Sequence, residues 1–207
     1  SDGGEVVDSR VGRSDLLNAN AFAAEFFKLI LNHATHGATA CGVIAKRGIS
    51  PEMVAQFGLG ASPDEWDGLV KMVRKKGIDE RIFAEAGLIK RREGGDGCYD
   101  ALRNRLIFPI QDQIGRVIAF GGRALSPDVP AKYMNSPETP LFHKERLLVN
   151  HHNARKAAHD SGNVIVVEGY VDVIAMSLAG FPQAVAPMGT ALTEEQMTLL
   201  WRMADEP

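Results

Sequence analysis

The sequence predicts an α/β protein in two unlike parts. Residues 1–161 read as an α+β region of short helices and an antiparallel sheet, and 162–207 as the start of a parallel α/β unit. Three observations carry this. Helix caps and stops punctuate the first 90 or so residues. At Gly94-Gly95-Asp96-Gly97 the texture changes to β-type sequence. From residue 163 the order becomes strand, helix, strand, helix, which is the pattern of a parallel sheet.

Taken in order, Ser14 or Asp15 can cap a helix to about residue 33, on which Phe22, Phe26 and Ile30 share one face. A short helix over about 38–46 closes at Gly48. Ser50-Pro51-Glu52 gives an N-cap with proline at the first helical position, and that helix stops at Gly58. Residues 64–76 form another helix whose basic end, Arg74-Lys75-Lys76, suits the negative end of its dipole. Asp79 opens one more, ended by Gly87. A strand follows over 106–110, with Pro109 marking an edge or a bulge. Asp112-Gln113-Ile114-Gly115 turns into a returning strand over 116–120, and Gly121-Gly122-Arg123 permits close backbone approach. The Pro-, Ser- and Asn-rich stretch 126–143 is an irregular loop, followed by a helix over 144–160. Then come a strand over 164–168, a helix over 172–179, a short strand near 183–187, and a helix opened by the Thr193/Gln196 capping box and running to about 203. Two strands alone leave that last sheet incomplete.

Size and composition narrow the function. At 207 residues, 45% hydrophobic and 24% charged, the chain suits a globular protein of one large or two small domains. No apolar run approaches the roughly 20 residues of a membrane span, and no secretory signal is visible, so no membrane partner is expected. Cys41 and Cys98 lack metal-ligand spacing; two buried thiols in a reducing, cytoplasmic setting are expected. His151-His152 has no third ligand at useful spacing and reads as surface histidine. There is no Gly-x-x-x-x-Gly-Lys-[ST] loop, which argues against a P-loop ATPase. A net charge of -3 gives no global nucleic-acid footprint. The balance reverses locally over 101–132, where Arg103, Arg105, Arg116, Arg123 and Lys132 face only Asp112 and Asp128.

The most chemical stretch is 164–172, Val-Ile-Val-Val-Glu-Gly-Tyr-Val-Asp. It puts Glu168 at the carboxyl end of a buried strand, where open α/β sheets collect ligands, and Asp172 one helical turn on. A carboxylate there can hold Mg²⁺ or act as a general base. A capped helix start with solvated acids fits the residues equally well.

Val-Val-Glu-Gly-Tyr-Val-Asp-Val-Ile-Ala closely resembles the first motif of the TOPRIM fold as bacterial DNA primases carry it. The runs Arg103-Asn-Arg-Leu-Ile-Phe-Pro-Ile, Gly115-Arg-Val-Ile-Ala-Phe-Gly-Gly-Arg123 and Lys132-Tyr-Met-Asn-Ser-Pro-Glu-Thr-Pro-Leu-Phe-His-Lys144 resemble the signature of primase polymerase cores, and Lys46-Arg47-Gly48 resembles a basic motif of the family. The resemblance covers about residues 15–204.

It implies a DNA-directed RNA polymerase of the primase type, a nucleotidyltransferase making RNA primers on single-stranded DNA for replication. Glu168 would be catalytic and a ligand of Mg²⁺ or Mn²⁺, with Asp172 its catalytic neighbour. Arg47, Arg103, Arg105, Arg123, Lys132, Asn135 and Lys144 match positions lining the groove for template and nucleotide. The implied partners are single-stranded DNA template, NTPs, the RNA primer and a replicative helicase. The family's Asp-x-Asp motif, its N-terminal zinc module and its C-terminal helicase-binding domain have no counterpart in these 207 residues, so the resemblance implies an inactive fragment with a truncated TOPRIM domain over 162–207. Ala101 stands where the family often has Arg, and Glu145 where Gly is usual, which puts an acid beside Lys144. Tyr133 and Phe142 can stack on bases, although core packing is the commoner fate of such residues. The alternative reading is the nucleic-acid-binding module of another TOPRIM enzyme, a topoisomerase or an OLD-type nuclease.

Overall fold

The computed structural model describes residues 10–189 and 191–204. The first helix, α1 (Arg13–Leu31), starts behind Gly12, whose amide donates to the Asp15 carboxylate at 2.9 Å. The acid therefore caps from inside the first turn. Then follow α2 (Ala38–Lys46), α3 (Pro51–Phe57), β1 (Gly60–Ser62), α4 (Gly68–Lys75) and α5 (Glu80–Glu85). Ser50 and Asp79 cap as their sequence signals require: Ser50 Oγ accepts from Met53 N at 3.2 Å, and Asp79 Oδ1 from Arg81 N at 2.9 Å. The predicted helix over 64–76 is shorter, because residues 64–67 form bends before α4 begins.

The hairpin β2 (Ile89–Arg91) and β3 (Cys98–Asp100) lies in the chain between the first strand of the main sheet and the other three. That sheet is antiparallel, in the order β1, β4 (Arg105–Gln111), β5 (Val117–Ala124) and β6 (Tyr133–Asn135). Pro109 lies in β4 beyond the reach of β1, which pairs only with Arg105 to Ile107, so its missing N–H costs no ladder bond. The pairing shifts register just after it, between Ile110 and Gln111.

The expected helix over 144–160 divides. A 3₁₀ turn covers Lys144–Arg146, and α6 (His151–Ser161) begins behind Asn150 in the left-handed region. The break has a tertiary cause. The Gln196 side chain donates to the carbonyls of Lys144 (3.2 Å) and Leu147 (3.0 Å), and Thr193 Oγ1 donates to that of Glu145. Those carbonyls serve the capping box of α8 (Glu194–Met203) instead of a helix of their own. The parallel pair β7 (Ile165–Val166) and β8 (Ala184–Val185) is shorter than predicted, and α7 (Tyr170–Leu178) starts two residues earlier.

The two faces of the main sheet are packed differently. Ile107 and Phe120 face α1, where Phe27 meets Phe120 edge-on at 5.2 Å. Burying each such side chain stabilises the fold by about 1.5–3 kcal/mol. Leu106 and Phe108 face the other way, onto Ile44, Ile49 and, from α7, Ile174. The sheet is thus the common wall between the helical region and the acid-bearing turn.

Two side-chain expectations are corrected. Cys41 is exposed and Cys98 only half-buried. His151 is 7% exposed, and burial lowers its pKa. No helix among the described residues is long and apolar enough to cross a membrane.

Candidate active site

The strand β7 delivers Glu168 to the start of α7. Gly169 is the N-cap, and its amide donates to Asp172 Oδ2 at 3.2 Å. Asp172 thus caps its own helix while lying one turn from Glu168. Glu168 is exposed and makes no hydrogen bond or ion pair among the described residues. Both acids line a cleft of about 470 Å³ together with Arg47, Asn135 and Tyr133. The exposed Arg47 belongs to the C-terminal end of α2, while Tyr133 and Asn135 come from β6.

A peg holds this cleft together. The ring of Tyr170 sits where a side chain on Gly121 would be: a Cβ added there would lie 2.5 Å from Tyr170 Cε1. The ring also packs on Phe108 at 4.5 Å and meets Tyr133 edge-on at 6.2 Å. Burial pushes the phenol pKa well above its usual range, so it stays neutral. A glycine in β5 therefore fixes the start of α7, and with it both acids, against the sheet.

The cleft side also carries buried polar atoms that nothing among the described residues satisfies. Tyr170 Oη, Arg123 Nε and Asn135 Oδ1 are buried without a hydrogen-bond partner. A buried unpaired donor or acceptor costs about 1–3 kcal/mol, so the two such atoms in the cleft lining, on Tyr170 and Asn135, point to a polar ligand. For a metal, the donor type fits, and the number suits one ion and not a pair. Glu168 and Asp172 offer hard oxygens of the kind Mg²⁺ or Mn²⁺ takes. One Asp172 oxygen is engaged in the cap, and no group of three or more His, Cys, Asp or Glu side chains that could hold a metal ion exists among the described residues.

The other predicted groove residues are spread more widely. Arg123 and Lys132 border the 124–131 loop next to the cleft. The Lys132 ammonium lies 5.7 Å over the ring of Tyr133, which is 45% exposed and open to stacking. Phe142 is fully buried in the core. Lys144 is half-buried in its 3₁₀ turn, outside the cleft lining. Arg103 is ion-paired with Asp64 and lies 4.4 Å over the ring of Trp66. Arg116 pairs with Asp112 at 2.8 Å.

Arg105 is a correction. It is 2% exposed, and its guanidinium donates to the backbone carbonyls of Ala131 (2.8 Å) and Pro130. Its stem fills the space beside Gly122, where a Cβ would lie 2.8 Å from Arg105 Cδ. Arg105 braces the loop that carries Lys132 and does not face the open groove. Sequence reasoning also missed Trp66, which is 58% exposed, and the exposed run Lys90-Arg91-Arg92 at the end of β2. The run was visible as a block of like charge; the tryptophan gave no signal until its surroundings were known.

Known proteins match this architecture. Residues 26–155 match the family described as DNA primase catalytic core, N-terminal domain, and residues 162–206 match the Toprim domain. The chain is 42% identical over 203 residues to a DNA primase of Deinococcus radiodurans, covering 97% of this chain and 34% of that protein. It thus spans about a third of the length of that relative. Among solved structures it resembles a DnaG primase catalytic domain bound to ssDNA, with a TM-score of 0.84 and 38% identity over 94% of this chain and 60% of that one. It also resembles the RNA polymerase domain of Mycobacterium tuberculosis primase DnaG in complex with double-stranded DNA, with a TM-score of 0.87 and 36% identity over 94% and 61% of the two chains. With the family match spanning the helices, the sheet and the groove, the chain belongs to the family of the DNA primase catalytic core, N-terminal domain, and continues into a Toprim-type unit.

Proposed function

We propose that this chain is the template- and nucleotide-holding part of a DNA primase, the nucleotidyltransferase that builds RNA primers on single-stranded DNA. The observation that carries it is the meeting of two carboxylates, Arg47 and the orphaned Asn135 oxygen around one cleft, with Arg123 and Lys132 bordering the neighbouring loop. Phosphates of template and NTP would satisfy the cations, and Tyr133 offers a ring to a base. Glu168 and the free oxygen of Asp172 would hold Mg²⁺ or Mn²⁺. A divalent ion supplies charge stabilisation for the attacking and leaving oxygens in phosphoryl transfer. The chain's own residues hold the α-phosphate near Glu168 and orient the strand through Arg47, Arg123 and Lys132. Arg103 and Lys144 serve as outlying contacts, and Arg105 as the brace behind them.

In this reading 1–161 is the nucleic-acid-binding subdomain and 162–207 the metal-bearing one. The partners are template, NTPs and primer, with helicase contacts made by other parts of the whole protein, in the bacterial cytoplasm. Two acids cannot assemble a metal pair, so this chain alone should make no primer; metal-dependent synthesis by it would overturn that statement. The direct test is binding of single-stranded DNA as a function of salt. Arg123→Ala or Lys132→Ala should weaken binding and lower the slope of log K against log salt by about 0.7 per lost phosphate contact. An unchanged slope in both variants removes the groove assignment.

A further inference from the structure

We propose that Arg105 and Ala131 form a preset clamp. Arg105 holds Ala131 in a left-handed backbone, and that backbone fixes Lys132 beside the cleft before a strand arrives. The proposal rests on the groove reading for what Lys132 binds, and on separate observations for the clamp itself.

Ala131 stands in a conformation its side chain does not favour. Three non-glycine residues among those described have a positive φ: Asn104 at 52°, Asn150 at 68° and Ala131 at 57°. Asparagine tolerates this region because its amide can bond locally. The alanine methyl crowds the backbone and has no polar atom to offset that. Ala131 is also exposed, so core packing does not hold it there.

Hydrogen bonds to its neighbourhood do. The Arg105 guanidinium donates to the carbonyls of Ala131 at 2.8 Å and of Pro130, and reaches that of Gly122 at 3.5 Å. On the other side of Ala131, the Ala124 amide donates to the Lys132 carbonyl at 2.9 Å, which extends the pairing of β5 and β6 one step past Arg123 and Tyr133. Arg105 is anchored in turn by the residue before it. The Asn104 amide donates to Pro63 at 3.0 Å, and its carbonyl accepts from Leu125 at 3.1 Å.

The Arg105 charge thus meets carbonyl oxygens and makes no ion pair among the described residues. A buried guanidinium without a carboxylate is unfavourable, and so is a left-handed alanine. The two meet at one carbonyl, and each accounts for the other. Strain that the surroundings enforce is characteristic of positions that set functional geometry. Here the next residue is Lys132. A loop set in advance leaves less to be ordered when a phosphate binds. Ala131 and Arg105 are therefore positioning residues, acting through Lys132.

The test uses the full 207-residue chain. Amide hydrogen exchange at Ala124 reads the clamp, and binding of an oligo-dT of about 12 nucleotides reads Lys132. Arg105→Met keeps a stem beside Gly122 and removes the donors. It should speed Ala124 exchange about tenfold or more. It should also weaken the oligonucleotide about three- to tenfold and lower its salt slope by about 0.7. Adding Ala131→Gly, which takes the left-handed backbone freely, should recover most of all three losses. An arginine that only filled the core would not be rescued from an exposed loop. Ala131→Val leaves Arg105 in place, but its branched side chain disfavours that backbone, so it should reproduce the losses. In a Lys132→Ala background, Ala131→Val should cost no further affinity. Parent-like exchange and binding in Ala131→Val overturns the proposal, as does the absence of rescue by Ala131→Gly. If the clamp alone fails, Lys132→Ala weakens the oligonucleotide and Ala131→Val does not. If the groove reading fails, Lys132→Ala itself leaves affinity and salt slope unchanged, which overturns the clamp's role as well.

Discussion

The two faces of the four-stranded sheet carry the same residue type to opposite ends. Arg105 and Arg123 stand on adjacent strands, β4 and β5, yet Arg105 belongs to the α1 face and Arg123 to the cleft face. Arg105 is buried and donates to loop carbonyls; Arg123 keeps a buried Nε with no partner. On the α1 face Phe27 and Phe120 close the core. On the other, Tyr170 packs tightly and leaves its hydroxyl unsatisfied. The α1 face is built for stability and the cleft face for a ligand, so a substitution on each should move a different observable.

The largest effect is expected from Glu168→Gln in the complete enzyme. Primer synthesis should fall by about 10²- to 10⁴-fold with melting temperature and DNA affinity retained; retained synthesis would make the acid structural. On the α1 face, Phe120→Ala should cost about 3–5 kcal/mol of unfolding free energy in denaturant titration, with any residual folded protein still binding DNA. Gly121→Ala joins the two effects. Its Cβ collides with the Tyr170 ring, so we expect about 1–3 kcal/mol of destabilisation and a larger fall in kcat than in template affinity. Adding Tyr170→Leu should recover part of the stability, and no recovery would refute the peg.

The smallest effect is a pH dependence away from the cleft. Burial pushes the Asp100 carboxyl up to about 6, against the opposing pull of the Leu69 and Val70 amides. Because the folded pKa is raised, the unfolded chain loses its proton first. Asp100 thus favours folding below about pH 4, and that contribution is lost as pH rises to about 6, a fall on the order of 1–2 kcal/mol. In Asp100→Asn the slope of stability over pH 4–6 should flatten. An unchanged slope would show that Asp100 is ionised throughout.

Local chemistry was legible in the sequence, and burial was not. Ser50, Asp79 and Thr193 cap helices through atoms two or three residues away, so their signals survive without tertiary context. The three-residue strands β1, β2, β3 and β6 are too short to show a period, and β1 and β6 exist through more distant partners, as Gly60 does with Ile107 and Asn135 with Gly121. The break before α6 depends on Gln196 reaching back to Lys144 and Leu147. For the site, Glu168 and Asp172 were readable as one turn of helix. The fates of Arg105 and Arg123 were not, because the pleat alone decides which face each side chain takes.

Gly121 and Gly122 are consecutive, and each admits a large side chain from its own face, Tyr170 from one and Arg105 from the other. At that point the sheet has no side-chain thickness, and a single peptide unit is the partition between the loop that holds Lys132 and the turn that holds Glu168. The position of the Lys132 loop and the placement of the acids therefore share one packing point, and neither can be retuned there without disturbing the other.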